Sequence, residues 1–302
     1  MHSLPDDILV FERGWLSSNN ILLRGPDEAV LIDSGYLLHA GQTLALVRHA
    51  LQERPLDRLI NTHLHSDHCG GNALLQAHYG CHTAIPVAEA DKVRDWDQER
   101  LSFRATGQQC ERFSFDATIA PGEVLQLAGR EWLALGAPGH DPHSLIFYCP
   151  EVKLLLSADA LWKNGFGVIF PELDGESGFA EERATLDLIA SLDVELVVPG
   201  HGAPFRDVQG ALERARSRVD YLAADPLRNA QNALKVLMKF LLLERQRMAL
   251  AEVPAILASL PVFEVANARF LQQTPQQTGA WLVQQLVRAG AACVEGEYLL
   301  NA

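Results

Sequence analysis

Over the first 210 residues, short apolar runs alternate with turn residues, and each run has the length of a strand. Residues 8–11 (ILVF), 20–24 (NILLR) and 29–32 (AVLI) predict three strands in quick succession. Helical spacing follows at 40–53, where Leu44, Val47 and Leu51 share a face. Residues 58–62 predict a short buried strand, and 73–79 a helix with Asn72 as its cap. Three further apolar runs stand at 132–135, 153–156 and 194–198, with a helical stretch at 179–191. Periodicity alone gives a mixed α and β unit. After about residue 210 the pattern turns helical, at 211–224, 229–248, 249–259 and 274–289. Pro226, Pro254, Pro261 and Pro275 punctuate these helices near starts or breaks. The tail predicts a small hairpin turning at Glu295 and Gly296. Residues 91–116 and 161–178 show no clear period and read as elaborations near a site.

The polar residues that follow the apolar runs carry the chemistry. Directly after 58–62 come His63, His65, Asp67 and His68, three imidazoles and a carboxylate within six positions. Imidazole and carboxylate are good ligands for zinc and other first-row metals. On an extended segment alternate side chains share a face. His63 and His65 can then grip one ion, with Asp67 continuing the series and His68 turned toward a second. Gly70 and Gly71 allow a tight turn. Downstream, the run 132–135 leads to His140, 153–156 to Asp159 and 194–198 to His201. Any one of these alone is more often just a turn. Four strand ends that each deliver a ligand type make a site.

The order His-x-His-x-Asp-His at 63–68, Gly-His at 139–140, Ala-Asp at 158–159 and Gly-His at 200–201 resembles the metallo-β-lactamase superfamily. The stretch from Val30 to Gly35 fits the strand and turn that precede the family's first helix, and the resemblance covers roughly residues 8–210. It implies an αββα sandwich, two stacked sheets with helices outside. It also implies a role for each position. His63, His65 and His140 would hold one metal, Asp67, His68 and His201 a second, and Asp159 would bridge the two. The donor count agrees, because one tetrahedral ion cannot use seven donors whereas two ions sharing a carboxylate can. Two divalent ions are therefore expected, zinc in first place, with iron or manganese as alternatives. Water between them would be acidified and attack an electrophilic centre, with Asp67 and Asp159 as the catalytic carboxylates.

Other positions are ambiguous in the sequence. Asp33 either bonds a ligand histidine or only caps its turn. His143 falls outside an already complete ligand set, as a supporting or exposed residue. Cys69 reads as a small filler inside the motif. Trp162, Phe166 and Phe170 either line a substrate pocket or, somewhat more often for such residues, sit in a core. Asp159 stands where the cysteine-containing β-lactamases of the superfamily place a cysteine, which argues against true β-lactamase activity. His65 stands where the flavodiiron branch places a glutamate.

Composition narrows the function class. With 302 residues, 48% of them hydrophobic, the chain has ample core material. The start at Met1 has no leader-like pattern and no run of about 18 apolar residues occurs. The five irregularly placed cysteines fit reduced thiols, so the expectation is a cytoplasmic protein without a membrane partner. The fold class expected is α+β: a metallo-β-lactamase-type sandwich over 1–210 and a smaller, mostly α, C-terminal domain over 211–302. That domain resembles a winged helix, which raises the question of nucleic acid. Residues 211–302 hold 10 Lys/Arg and 8 Asp/Glu, a net of +2, which leaves 15 against 30, or −15, for the rest. Residues 274–289 carry Arg288 as their one cation. Phosphate backbones need a basic patch and are repelled by an acidic body. The C-terminal domain is expected to serve as a pocket wall or a dimer contact, so the expected partners are a small-molecule substrate and, in the second case, another copy of the chain, but no nucleic acid. The expected function is dimetal hydrolysis of a small acyl compound, a thioester, lactone or related ester. The alternatives are a phosphodiesterase or nuclease on the same centre and a mononuclear iron sulfur dioxygenase.

Overall fold

A computed structural model describes residues 4–302. Six strands form the first sheet in sequence order: β1 (Ile8–Phe11), β2 (Asn20–Arg24), β3 (Ala29–Ile32), β4 (Arg58–Ile60), β5 (His82–Pro86) and β6 (Ala117–Ile119). β1 to β3 are antiparallel, and β3 to β6 pair in parallel through crossovers. The second sheet contains β7 (Val124–Leu127), β8 (Arg130–Gly136), β9 (Leu145–Cys149), β10 (Leu154–Ala158) and β11 (Leu196–Pro199), in the order β11-β10-β9-β8-β7. Its one parallel pair is β10 with β11.

The strands are apolar on both faces because both faces are covered. Along β2 and β3, Ile21, Leu23, Val30 and Ile32 face a core shared with Trp132, Phe147, Leu156 and Val198 of the second sheet. Their alternates Leu22 and Leu31 pack instead against Val47, Leu51 and Leu75 of the outer helices Ala40–Leu51 and Asn72–Tyr79. In the second sheet, Ile146, Leu155 and Val197 turn outward to Leu186 and Ile189 of helix Phe179–Ser191. They also meet Ala211, Ala215 and Val219 of helix Val208–Ala223. Period-2 side-chain alternation thus produces the four layers.

Helix Val208–Ala223 therefore belongs to the core of the second sheet. A separate apolar cluster gathers Leu234, Met238, Leu257, Phe263, Leu282 and Leu299 from the C-terminal region. Helix Pro226–Arg245 joins the two parts, since its Ala230 and Ala233 pack on Val168 and Leu173 of the segment that follows Asp159. Helix Pro275–Arg288 starts at a Thr274–Gln277 capping box, and the hairpin is β13 (Ala292–Glu295) with β14 (Tyr298–Asn301). The expected helix over 249–259 is shorter, Val253–Ala258. Leu250–Glu252 form a single tight helical turn ahead of it, and Ala249 ends a third strand of the small sheet, β12 (Arg247–Ala249), which pairs with β14. That pairing is made with a strand some fifty positions away (Met248 with Leu299), so local spacing does not announce it. No single helix among the described residues is long and apolar enough to cross a membrane.

Phe147 is fully buried between the sheets. Phe147→Ala should cost about 3–5 kcal/mol of unfolding free energy in urea titrations of the metal-free protein. A loss below about 1 kcal/mol would show that the two sheets do not share this core.

Candidate metal centre

β4 ends at Ile60, and the extended backbone runs on only as far as His65 (φ −63°, ψ 147°). The next residues, Ser66–Cys69, form one helical turn, closed by the His68 and Cys69 amides on the His65 carbonyl. Alternation along a strand therefore explains His63 and His65 but not Asp67, which the helical turn delivers together with His68. Asn72 is also not a cap. It is the first residue of its helix, and its side chain instead accepts from Ser34 Oγ at 2.7 Å and donates to Asn61 Oδ1 at 2.7 Å. These buried amides brace the turn from beneath.

All seven expected donors converge. His65 Nδ1 lies 3.1 Å from His63 Nε2 and 2.8 Å from His140 Nε2. His201 Nε2 lies 3.1 Å from Asp67 Oδ2, and His68 Nε2 lies 3.9 Å from the same oxygen. Asp159 stands between the two groups, with Oδ1 3.5 Å from His68 Nε2 and Oδ2 3.5 Å from His140 Nε2. His63–His65–His140, His63–His68–Asp159 and Asp67–His68–His201 are each close enough to hold an ion. The donor set fits such ions, because His68 Nε2 is buried among these atoms with no hydrogen-bond partner.

The neighbours orient the rings. Asp33 is buried, accepts His68 Nδ1 at 2.7 Å, and also accepts the Thr62 amide at 2.9 Å and the Thr62 hydroxyl at 2.8 Å. Of the two roles its sequence context allowed it takes the first, bonding a histidine; its other contacts go to Thr62 at the end of the neighbouring strand and not to its own turn, and its backbone is left-handed (φ 58°). The Val168 carbonyl accepts His140 Nδ1 at 2.5 Å. These contacts leave Nε2 of both rings for a ligand.

Burial first, and then the neighbouring imidazoles, hold His63 far below its usual range and His140 down to about 4. Burial also lowers His65. The three rings are neutral at pH 7, the form that binds metal. Burial would lower His68 too, but Asp33, Asp159 and Asp67 outweigh it and raise this ring well above the usual value. For Asp159, burial is outweighed by His201 and His68, which hold the carboxyl well below its usual range. Asp67 is lowered in the same way, by His68 and His201 against burial.

An open cleft of about 730 Å³ reaches the cluster. Trp162, Phe166 and Phe170 all line it. Trp162 Nε1 also donates to Asp159 Oδ1 at 3.3 Å. His143 lies to one side, half-exposed, with Nδ1 2.5 Å from Glu89 Oε1. Cys69 is buried, 3.8 Å from the sulfur of Cys110. Several participants carry no sequence signal. Trp15 stacks on His201 with ring centroids 5.4 Å apart. Glu182 is buried with neither carboxyl oxygen bonded, and burial, followed by the charge of Asp159, holds it well above its usual range. Arg218, Asn232, Leu237 and Phe240 reach the cleft from the two helices that follow β11. Two glycines are required by space: a Cβ on Gly200 would strike Asp159, and one on Gly167 would strike the His140 ring.

A family model described as the metallo-beta-lactamase superfamily matches residues 13–201. A hydroxyacylglutathione hydrolase of Hyphomonas neptunium is 27% identical over 45% of this chain and 50% of its own length. A human acyl-coenzyme A thioesterase, MBLAC2, is 27% identical over 66% of this chain and 79% of its own. The chain thus spans about half the length of the first curated relatives it matches. A metallo-beta-lactamase family protein of Thermus thermophilus superposes with a TM-score of 0.60 at 19% identity, covering 99% of this chain and 100% of that one, and so shares the fold.

Asp33→Ala should weaken metal retention about 10–100-fold, because His68 loses the partner that fixes its ring. Chelator competition on the folded variant measures this, and retention equal to the parent would remove Asp33 from the site.

Proposed function

Because the chain belongs to the metallo-β-lactamase superfamily, we propose that it is a metal-dependent hydrolase of thioesters. The observation that carries this reading is the pair of three-residue donor groups on either side of Asp159, of which His65, Asp67, His140 and His201 line one cleft together with Asp159 itself. In this proposal His63, His65 and His140 hold one divalent ion, Asp67, His68 and His201 hold the other, and Asp159 is shared. Two such ions, with zinc the first choice, would polarise a carbonyl oxygen and supply a nucleophilic water at neutral pH. The relatives whose names specify a substrate, hydroxyacylglutathione and acyl-coenzyme A, both act on a carbon–sulfur ester, and this supports the thioester class.

The chain's own groups divide the work. Asp33 and the Val168 carbonyl hold the His68 and His140 rings with Nε2 turned toward Asp159. Asp67 is the more exposed of the two central carboxylates and is positioned to orient water and take its proton. Trp162 fixes one oxygen of Asp159 by its indole N–H. The rings of Trp15 and Trp162 lie against His201, and Phe170 lies against His65 and His140, so aromatic faces flank the cluster. Residues 211–302 complete the cleft wall in this reading and take no nucleic acid, since the chain carries a net charge of −13.

Elemental analysis of gently purified protein should approach two metal equivalents per chain. A firm ceiling of one after reconstitution would favour mononuclear oxidation chemistry instead. Asp67→Ala should lower turnover on thioesters at least about a hundredfold while the melting temperature stays near that of the parent. Activity within a few-fold of the parent would sink the role assigned to Asp67. Faster cleavage of bis-para-nitrophenyl phosphate than of any thioester would replace the thioester reading with a phosphodiesterase.

A further inference from the structure

The metal cluster stands where two cavities meet. The first, about 730 Å³, is walled mainly by apolar side chains, among them Phe166, Leu237 and Phe240. The second, about 1000 Å³, carries charged residues such as Lys92, Arg100, Asp141 and Glu176. His65, Thr106, His140 and Phe170 border both. A thioester whose carbonyl sits at this junction must send its acyl arm into one lobe and its thiol arm into the other. The smaller lobe suits the acyl arm, and the larger lobe, with its charged residues, suits the bulkier, hydrophilic thiol.

One group in the apolar lobe does not fit a purely hydrocarbon arm. Arg218, on helix Val208–Ala223, lines this cavity with its Nε buried and unbonded. Its guanidinium lies 5.6 Å from the centre of the Phe166 ring. Burial lowers its pKa from the usual guanidinium range without removing its charge, and among the described residues no acid pairs with it. Lys235, one turn along helix Pro226–Arg245 from the cleft residue Asn232, adds a second charge of the same sign and is itself depressed by burial and by Arg218. Two neighbouring cations without a counter-ion are costly at the edge of an apolar cavity, in a chain whose net charge is −13. An anionic ligand removes that cost. The planar fork of arginine matches a carboxylate in two parallel hydrogen bonds.

Resting on the thioester reading above, we propose that the preferred acyl group is a short dicarboxylic one, whose free carboxylate is bound by Arg218. In the reaction, water adds to the thioester carbonyl and the carbon–sulfur bond breaks. The bonding pair leaves on sulfur, which takes a proton as the thiol, and a dicarboxylate remains. Arg218 touches the far carboxylate and not the reacting atoms, so it sets specificity.

The test compares succinyl with butyryl thioesters of one thiol, N-acetylcysteamine, in the metal-loaded enzyme. The parent should favour the succinyl substrate in kcat/KM, and Arg218→Met should collapse that preference by about ten- to a hundredfold, mainly through KM. Arg218→Lys, which keeps the charge and loses the fork, should restore part of it. A parent without preference, or equal losses on both substrates in Arg218→Met, would overturn the proposal, the latter by showing that the arginine only supports Phe166. Repeating the pair on glutathione should leave the preference in place, whereas a preference that follows the thiol instead would also overturn it. Calorimetry with succinate against butyrate on parent and Arg218→Gln gives a readout that needs no turnover. If no thioester is cleaved and yet succinate binding depends on Arg218, the thioester reading fails and the anion site stands. If neither acid binds preferentially, the site fails.

Discussion

A buried set of ionisable groups survives in a folded chain only when its charges balance. Here five imidazoles (His63, His65, His68, His140 and His201) and three carboxylates (Asp33, Asp67 and Asp159) are drawn into one place. The acids raise His68, and His68 with His201 lowers Asp159 and Asp67. The remaining rings are pushed toward the neutral state by the same burial. Divalent ions would take over the balancing role of the proton on His68.

That balance requires backbone from both sheets to meet closely. The segment before β2 makes the connection. The Ser18 amide donates to the Asp67 carbonyl at 2.9 Å, and the Asn19 amide to the Gly200 carbonyl at 2.6 Å. The Asn19 side chain then clamps the turn around His201 through the carbonyls of Pro199 and Gly202. A few residues far from the motifs in sequence therefore set the spacing between the donors of the first sheet and those of the second. Gly200 and Gly167 serve the same end by absence, since any side chain there would displace Asp159 or His140.

The helices after β11 extend the same logic from chemistry to selection. Val208–Ala223 is held by the core of the second sheet, and Pro226–Arg245 by the segment after Asp159. Arg218, Asn232 and Phe240 are consequently placed by the packing that supports the second sheet and the segment after Asp159. Any shift of these helices would change the cleft and the ligand loops together.

The sequence by itself determined which seven His and Asp side chains converge, the order of the first three strands and the helices at 40–51, 179–191 and 275–288. These are local facts: two-residue and 3.6-residue periodicities, and ligand types placed just beyond apolar runs. It could not determine how Asp67 reaches the site, because one helical turn at 66–69 and a continued strand have the same residue types. Nor could it decide whether Asp33 serves a turn or a histidine, or whether Trp162, Phe166 and Phe170 face a core or a cleft. Trp15, Glu182 and Arg218 carried no signal at all. Each of these depends on which surface a side chain meets once the two sheets stack and the C-terminal helices dock. Such contacts join positions up to some two hundred residues apart, as Asn19 and Gly202 show, and distance in the chain leaves no periodic trace.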